Sequence, residues 1–124
     1  MIQKESRLII ADNSGGRIIK CISLRNSYKS VGSGFSIKGA VQRLRNKRRS
    51  KSRVKVGKLY SVLIIQVNRE LRRKNGKSLQ FTKNCCIIIG KNKEPLATRV
   101  FNGVPKEART QRKSKLFIMA PFVY

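Results

Sequence analysis

The chain has 124 residues, enough for one domain that buries roughly two thirds of its unfolded surface, and it carries 30 Lys and Arg against 5 Asp and Glu, a net of +25. That imbalance in a folded domain points to a polyanionic partner, nucleic acid first, while the lack of any apolar run near the roughly 18 residues of a spanning helix argues against a membrane. With no histidine in the chain, the commonest general base and the Ser-His and Cys-His dyads are missing, as are the usual mixed zinc-ligand sets.

The opening, Met1-Ile2-Gln3-Lys4-Glu5-Ser6, has the character of neither a signal peptide nor a transit peptide. A chain with this start that works in an organelle is expected to be made there. Arg7 to Asp12 reads as a short apolar strand, closed by the turn residues Asn13-Ser14-Gly15-Gly16. A returning strand follows over Arg17 to Arg25. From Gly34 the alternation is regular, with Phe35, Ile37, Gly39 and Val41 assigned to one face and Ser36, Lys38, Ala40 and Gln42 to the other.

The most basic stretch comes next, from Arg43 to Lys58, and includes Arg45, Lys47, Arg48, Arg49, Lys51, Arg53 and Lys55. Charges this dense repel one another, so the segment is expected to stay extended until phosphates neutralise it. A phosphate-contacting extension is the reading adopted, against a merely solvated loop or a nuclear-import signal.

Leu59 to Val67 is apolar at both parities, which suggests a strand packed on both faces for much of its length. Asn75-Gly76 is the strongest short hairpin signal in the sequence, since both turn positions tolerate φ above zero. Arg69, Arg72, Arg73, Lys74 and Lys77 surround it, either as RNA contacts or as an ordinary charged hairpin. Ser78 to Thr82 and Cys85 to Gly90 are short strands. Cys21, Cys85 and Cys86 are read as reduced core residues rather than as a metal or redox site, because adjacent strand residues point to opposite faces and no Cys-x-x-Cys spacing exists. About six strands without a long helical pattern suit a mainly β fold, a small closed or nearly closed barrel.

After Glu94-Pro95 the pattern changes. Val104 to Arg109 reads as one short helix, and Ser114 to Ala120 as either a last strand or a second short helix. Arg109, Arg112, Lys113 and Lys115 form a third basic cluster. No repeat or linker separates a second domain, so 1–124 is taken as one unit: a barrel over 1–93 with its basic extension at 43–58, then a C-terminal loop and short helices over 94–124. The scattered acids Glu5, Asp12, Glu70, Glu94 and Glu107 form no catalytic motif. No enzyme activity and no cofactor are expected. With aromatics at 6% and no Trp, phosphate and shape recognition should outweigh base reading.

Three ordered motifs carry a family resemblance over nearly the whole chain. Met1-Ile2-Gln3 with Ala11-Asp12-Asn13-Ser14-Gly15 resembles the opening strand and turn of the universal large-subunit ribosomal protein numbered fourteen, in its bacterial and organellar form. Asn75-Gly76, Phe81 and Asn84 leading into Cys85-Cys86-Ile87-Ile88-Ile89 are similar to its central fingerprint. Thr98-Arg99-Val100-Phe101-Asn102-Gly103-Val104 and Ala120-Pro121 resemble its C-terminal segment. The resemblance implies a five-stranded barrel, a projecting β-ribbon and two small C-terminal helices, which favours helix for Ser114 to Ala120.

It further implies binding to large-subunit rRNA, a neighbouring large-subunit protein nineteen, a bridge to small-subunit rRNA, and a side on which a ribosome-silencing factor docks. The rRNA-binding set is then expected to be Arg17, Arg43, Arg45, Lys47, Arg48, Arg49, Lys51, Arg53, Lys55, Arg69, Arg72, Arg73 and Lys74. The inter-subunit or protein-contact set is Thr98, Arg99, Arg109 and Lys115, with packing of the tail onto the barrel as the alternative role for Thr98-Arg99. Departures from the family pattern fall at Asn75, Thr82, Gly57-Lys58, Asn102-Gly103 and Ile118. The last leaves the silencing factor open. The preference for Lys, Asn and Ile favours an organelle-encoded mitochondrial ribosomal protein, with the bacterial cytoplasm or a plastid as alternatives. Two other classes stay open: a free-standing nucleic-acid chaperone, which would show the same charge, and an RNA-modifying enzyme, which would need a cofactor or acid/base constellation that the sequence does not display.

Overall fold

The structure is a computed structural model and describes residues 1–24, 29–45, 52–90, 92, 94–111 and 114–124, with the side chains of 109–111 and 114 left aside. Among the described residues seven strands form: β1 (Arg7–Ile10), β2 (Gly16–Leu24), β3 (Ser36–Leu44), β4 (Leu59–Gln66), β5 (Leu71–Arg72), β6 (Ser78–Leu79) and β7 (Cys85–Ile89). A 3-10 helix (Lys106–Gln111) and helix α1 (Ser114–Met119) follow. The order β1-β2-β3-β4-β7 closes into a barrel, and β5-β6 stands apart as a two-stranded ribbon. Closure depends on the one parallel pairing, β1 with β7, through Ile9 opposite Cys85 and Ile10 opposite Cys86. Every other barrel pairing is antiparallel.

The apolar sequence of β4 has its cause in two separate cores. Val62 and Ile64 point into the barrel with Cys86 and Ile88, alongside Leu8, Ile10, Ile19 and Val41. Leu63 and Ile65 point outward with Cys85, Ile87 and Ile89, where Val100, Val104, Ala108 and Leu116 of the C-terminal segment cover them. A strand half covered by water would have shown alternation; β7 and residues 62–66 of β4 are buried on both sides because the tail folds over them. Cys85 and Cys86 therefore belong to different cores, and all three cysteines are free and buried. Burial pushes each thiol above its ordinary pKa, Cys86 well above. That disfavours the thiolate needed for metal or redox chemistry.

Two local expectations are corrected. Phe35 does not continue the inward face of Ile37, Gly39 and Val41; it lies outside β3 and is 42% exposed. Gly34, at φ +87°, turns the chain just before the strand, and the alternation starts only at Ser36. In the ribbon only Gly76 has positive φ, +77°, whereas Asn75 does not. The Gly76 N–H donates to the Arg73 carbonyl at 3.1 Å and the Arg73 N–H to the Lys77 carbonyl at 2.9 Å. The ribbon thus uses a longer loop with one left-handed residue at its end, instead of a two-residue turn with two.

Candidate nucleic-acid interface

The electrostatic frame follows from how the few acids are used. Glu5 pairs with Lys20, Glu70 with Arg72, Glu94 with Lys115 and Glu107 with Arg73. The carboxylate of Asp12 is fully buried and accepts two backbone donors, from Ser14 at 2.8 Å and Ile88 at 2.9 Å. All five acids are therefore committed within the chain. With 30 Lys and Arg, most cationic side chains have no carboxylate to meet, so the field around the molecule stays strongly positive.

Among the predicted RNA contacts, Arg17, Arg43, Arg53, Lys55, Arg69, Arg72 and Lys74 are exposed, and Arg45 and Arg73 are half-buried. Lys47, Arg48, Arg49 and Lys51 lie outside the described residues. Three of the arginines, Arg45, Arg53 and Arg73, are tied to distant segments of the chain. The Arg45 guanidinium donates to the Ile10 carbonyl at 3.2 Å and lies 4.9 Å from the Phe101 ring centroid, within cation-π range. Arg53 donates to the Leu96 carbonyl at 2.7 Å. Arg73 makes a two-pronged bond to Glu107, at 2.8 and 3.1 Å, and a third to the Tyr124 carbonyl at 2.9 Å. These three have donors occupied in positioning neighbouring segments. Sequence reasoning counted them with the others because it saw their charge and not their partners.

The ties bring distant segments together. Arg45 and Arg53, at the two feet of the basic loop, both reach the segment from Leu96 to Phe101. Thr98 and Arg99 are held there by Asn13: its amide nitrogen donates to the Thr98 hydroxyl at 2.8 Å, and its Oδ1 accepts the Thr98 and Arg99 N–H groups at 3.0 and 3.3 Å. Both residues are exposed. The supposed contact site for a second particle therefore adjoins the roots of the basic loop. Lys115 sits farther along the tail, bonded to Glu94 at 2.5 Å, and the side chain of Arg109 is not described. Ile118, on α1, is 84% exposed and Phe122 67%, an apolar patch at the end of the tail.

The Arg73–Glu107 pair couples the ribbon to the 3-10 helix. Its hydrogen bonds hold the Glu107 carboxyl below the ordinary glutamate range, against the opposing effect of desolvation. A depressed carboxyl contributes stability that is present above its unfolded pKa and is lost as pH falls through the folded value. We expect the stability difference between the native protein and Glu107→Gln to shrink as pH falls below the ordinary range. Thermal melts of both proteins at a series of acidic pH values measure it; a constant difference would mean the pair contributes nothing to the pH response.

Among the described residues no group of three His, Cys, Asp or Glu could hold a metal ion. A groove of about 590 Å³ beside the ribbon is lined by Met1, Val67, Arg69, Leu71 and Phe81, with Glu70 its one acid. A family model described as ribosomal protein L14p/L23e matches residues 1–124. The chain belongs to that family. As an L14p/L23e protein it is a structural component of the large ribosomal subunit rather than an enzyme, and its place is on the ribosome. The closed five-stranded barrel and the small helical content agree with the fold expected from the resemblance.

Proposed function

We propose that this L14p/L23e protein binds large-subunit rRNA chiefly through phosphates. Arg17, Arg43, Lys47, Arg48, Arg49, Lys51 and Lys55 supply one set of contacts, and Arg69, Arg72 and Lys74 on the ribbon a second. Arg45, Arg53 and Arg73 position these elements against the tail. Thr98 and Arg99, together with Lys115 and Arg109, form the side that meets small-subunit rRNA and, at its edge, protein partners. A large-subunit protein nineteen and a silencing factor are the partners considered, the latter meeting an apolar Ile118. The Lys, Asn and Ile preference favours a mitochondrial ribosome over a bacterial or plastid one.

The observation that carries this reading is the exhaustion of the acids: with every carboxylate engaged internally, the exposed cations are left to attract an external polyanion. Folded RNA offers phosphates on many sides of the molecule. A free nucleic-acid chaperone would have the same field, but membership of a ribosomal family favours the ribosome.

The test separates anchoring from bridging. Arg48, Arg49 and Lys51 replaced by Ala remove charge from the basic loop while keeping the ties of Arg45 and Arg53. Thr98 and Arg99 replaced by Ala keep the backbone bonds to Asn13. The loop variant is expected to lose large-subunit occupancy several-fold. The second variant should keep occupancy and lower the fraction of joined ribosomes. Equal loss of occupancy by both, measured by sedimentation and mass spectrometry of each fraction, would make Thr98-Arg99 part of the anchor.

A further inference from the structure

The chain contains two Asn-Gly dipeptides, Asn75-Gly76 and Asn102-Gly103, and they sit in opposite chemical situations. We propose that the ribbon turn is a self-modification site at which Asn75 deamidates, while Asn102 is protected by the fold. In the reaction the Gly76 backbone nitrogen, having lost its proton to solvent base, forms a bond to Asn75 Cγ. The Cγ–Nδ2 bond then breaks, and ammonia leaves. Water opens the resulting cyclic imide at one of its two carbonyls, giving aspartate or isoaspartate. One water enters and one ammonia departs, with no oxidant or cofactor.

Four features favour the step at Asn75. Asn75 and Gly76 are exposed, and space around Gly76 is open, with nothing within 4 Å of where a Cβ would stand. Asn75 Oδ1 accepts the Lys77 N–H at 3.2 Å, which polarises the carbonyl and offers a donor to the oxyanion that forms on it. Exposed Arg72, Lys74 and Lys77 surround the turn; their positive field favours both the deprotonated nitrogen and the oxyanion. The Gly76 N–H is held by the Arg73 carbonyl at 3.1 Å, so the turn must open to react. Two residue pairs, Leu71 with Leu79 and Arg72 with Ser78, and the bond from the Arg73 N–H to the Lys77 carbonyl hold the ribbon strands together, and so short a ladder opens more readily than the barrel.

Asn102 is the internal control. Its amide nitrogen, the leaving group, donates to Gln66 Oε1 at 3.2 Å and to Cys85 Sγ at 3.3 Å. Gly103 is buried, its carbonyl accepts from Gln66 Nε2 at 2.7 Å, and the Tyr124 ring fills the space where a Cβ would stand. Reaction there requires loss of packing between the tail and β4.

The consequence for binding rests on the proposed role of the ribbon: each event places a negative charge among its cations, weakening RNA contact. A chain held in RNA would be shielded from opening, whereas one left unassembled would accumulate the change. The test incubates the full protein at mildly alkaline pH, folded and in denaturant, and follows both sites by peptide mass spectrometry. In the folded protein Asn75 should convert at least ~10-fold faster than Asn102, and in denaturant the two rates should converge. Equal rates in the folded protein, or no conversion at Asn75, would overturn the proposal. RNA affinity of Asn75→Asp is measured separately. A loss supports the binding consequence, while unchanged affinity overturns the ribbon as an RNA contact and leaves the modification standing.

Discussion

Raising monovalent salt from roughly 50 to 200 mM is expected to weaken RNA binding by the purified protein about a thousandfold. Each phosphate neutralised on duplex RNA or DNA releases close to one condensed counterion, so the slope of log affinity against log salt approximates the number of contacts. The six exposed candidates that remain once Arg53 is set aside for its bond to Leu96, namely Arg17, Arg43, Lys55, Arg69, Arg72 and Lys74, set that slope near 5 when all engage at ~0.9 each. Contacts from Lys47, Arg48, Arg49 and Lys51 would steepen it. Replacing Lys74 alone should lower the slope by about one, whereas replacing Arg73 should alter the seating of the ribbon against the tail. Filter binding or fluorescence anisotropy over a salt series measures both. A slope below ~2 would mean that few of these cations meet phosphate, and the electrostatic account would fail.

Asp12→Ala is expected to destabilise the protein by about 2–6 kcal/mol, a large share of the roughly 5–15 kcal/mol available to a domain of this kind. The reason lies at the barrel seam. The parallel pairing of β1 with β7 runs through Ile10 opposite Cys86, and the Ala11 N–H bonds the Cys86 carbonyl at 2.9 Å. The Ala11 carbonyl, which would otherwise be placed to continue the ladder, accepts instead from the Phe101 N–H of the tail at 2.9 Å. The Ile88 N–H is capped by Asp12 Oδ2 at 2.9 Å, and Oδ1 holds the Ser14 N–H at 2.8 Å. Truncation leaves two backbone donors without their acceptor, each costing about 1–3 kcal/mol when water does not replace it. Asp12→Asn keeps the shape and one acceptor oxygen, and should fall between. Urea denaturation of the three proteins measures the series; a loss under ~1 kcal/mol for the alanine variant would show that solvent reaches the seam.

Much of this protein was legible in its sequence because the relevant signals are local or additive. Net charge is a sum over residues, and its consequence for partners needs no coordinates. Strand periodicity over Ile37 to Val41, the turn at Asn13 to Gly16 and the basic run between two strands were all readable from neighbours. The ordered motifs pointed to the family, and with it the barrel, ribbon and two small helices.

What only the tertiary structure decided depends on pairs far apart in the chain. The doubly apolar strand β4 could be identified, but not that its outer face waits for Val100, Val104 and Leu116. Phe35 fitted the alternation until Gly34 turned the chain ahead of it. Arg45, Arg53 and Arg73 looked like their neighbours, since an arginine that donates to Ile10, Leu96 or Glu107 carries the same sequence signal as one facing solvent. Asp12 was visible as part of a turn motif, yet its second oxygen is committed to Ile88, 76 residues away. Charge is a property of the residue, whereas the partner that occupies a charge is set by closure of the barrel and by the path of the tail across it.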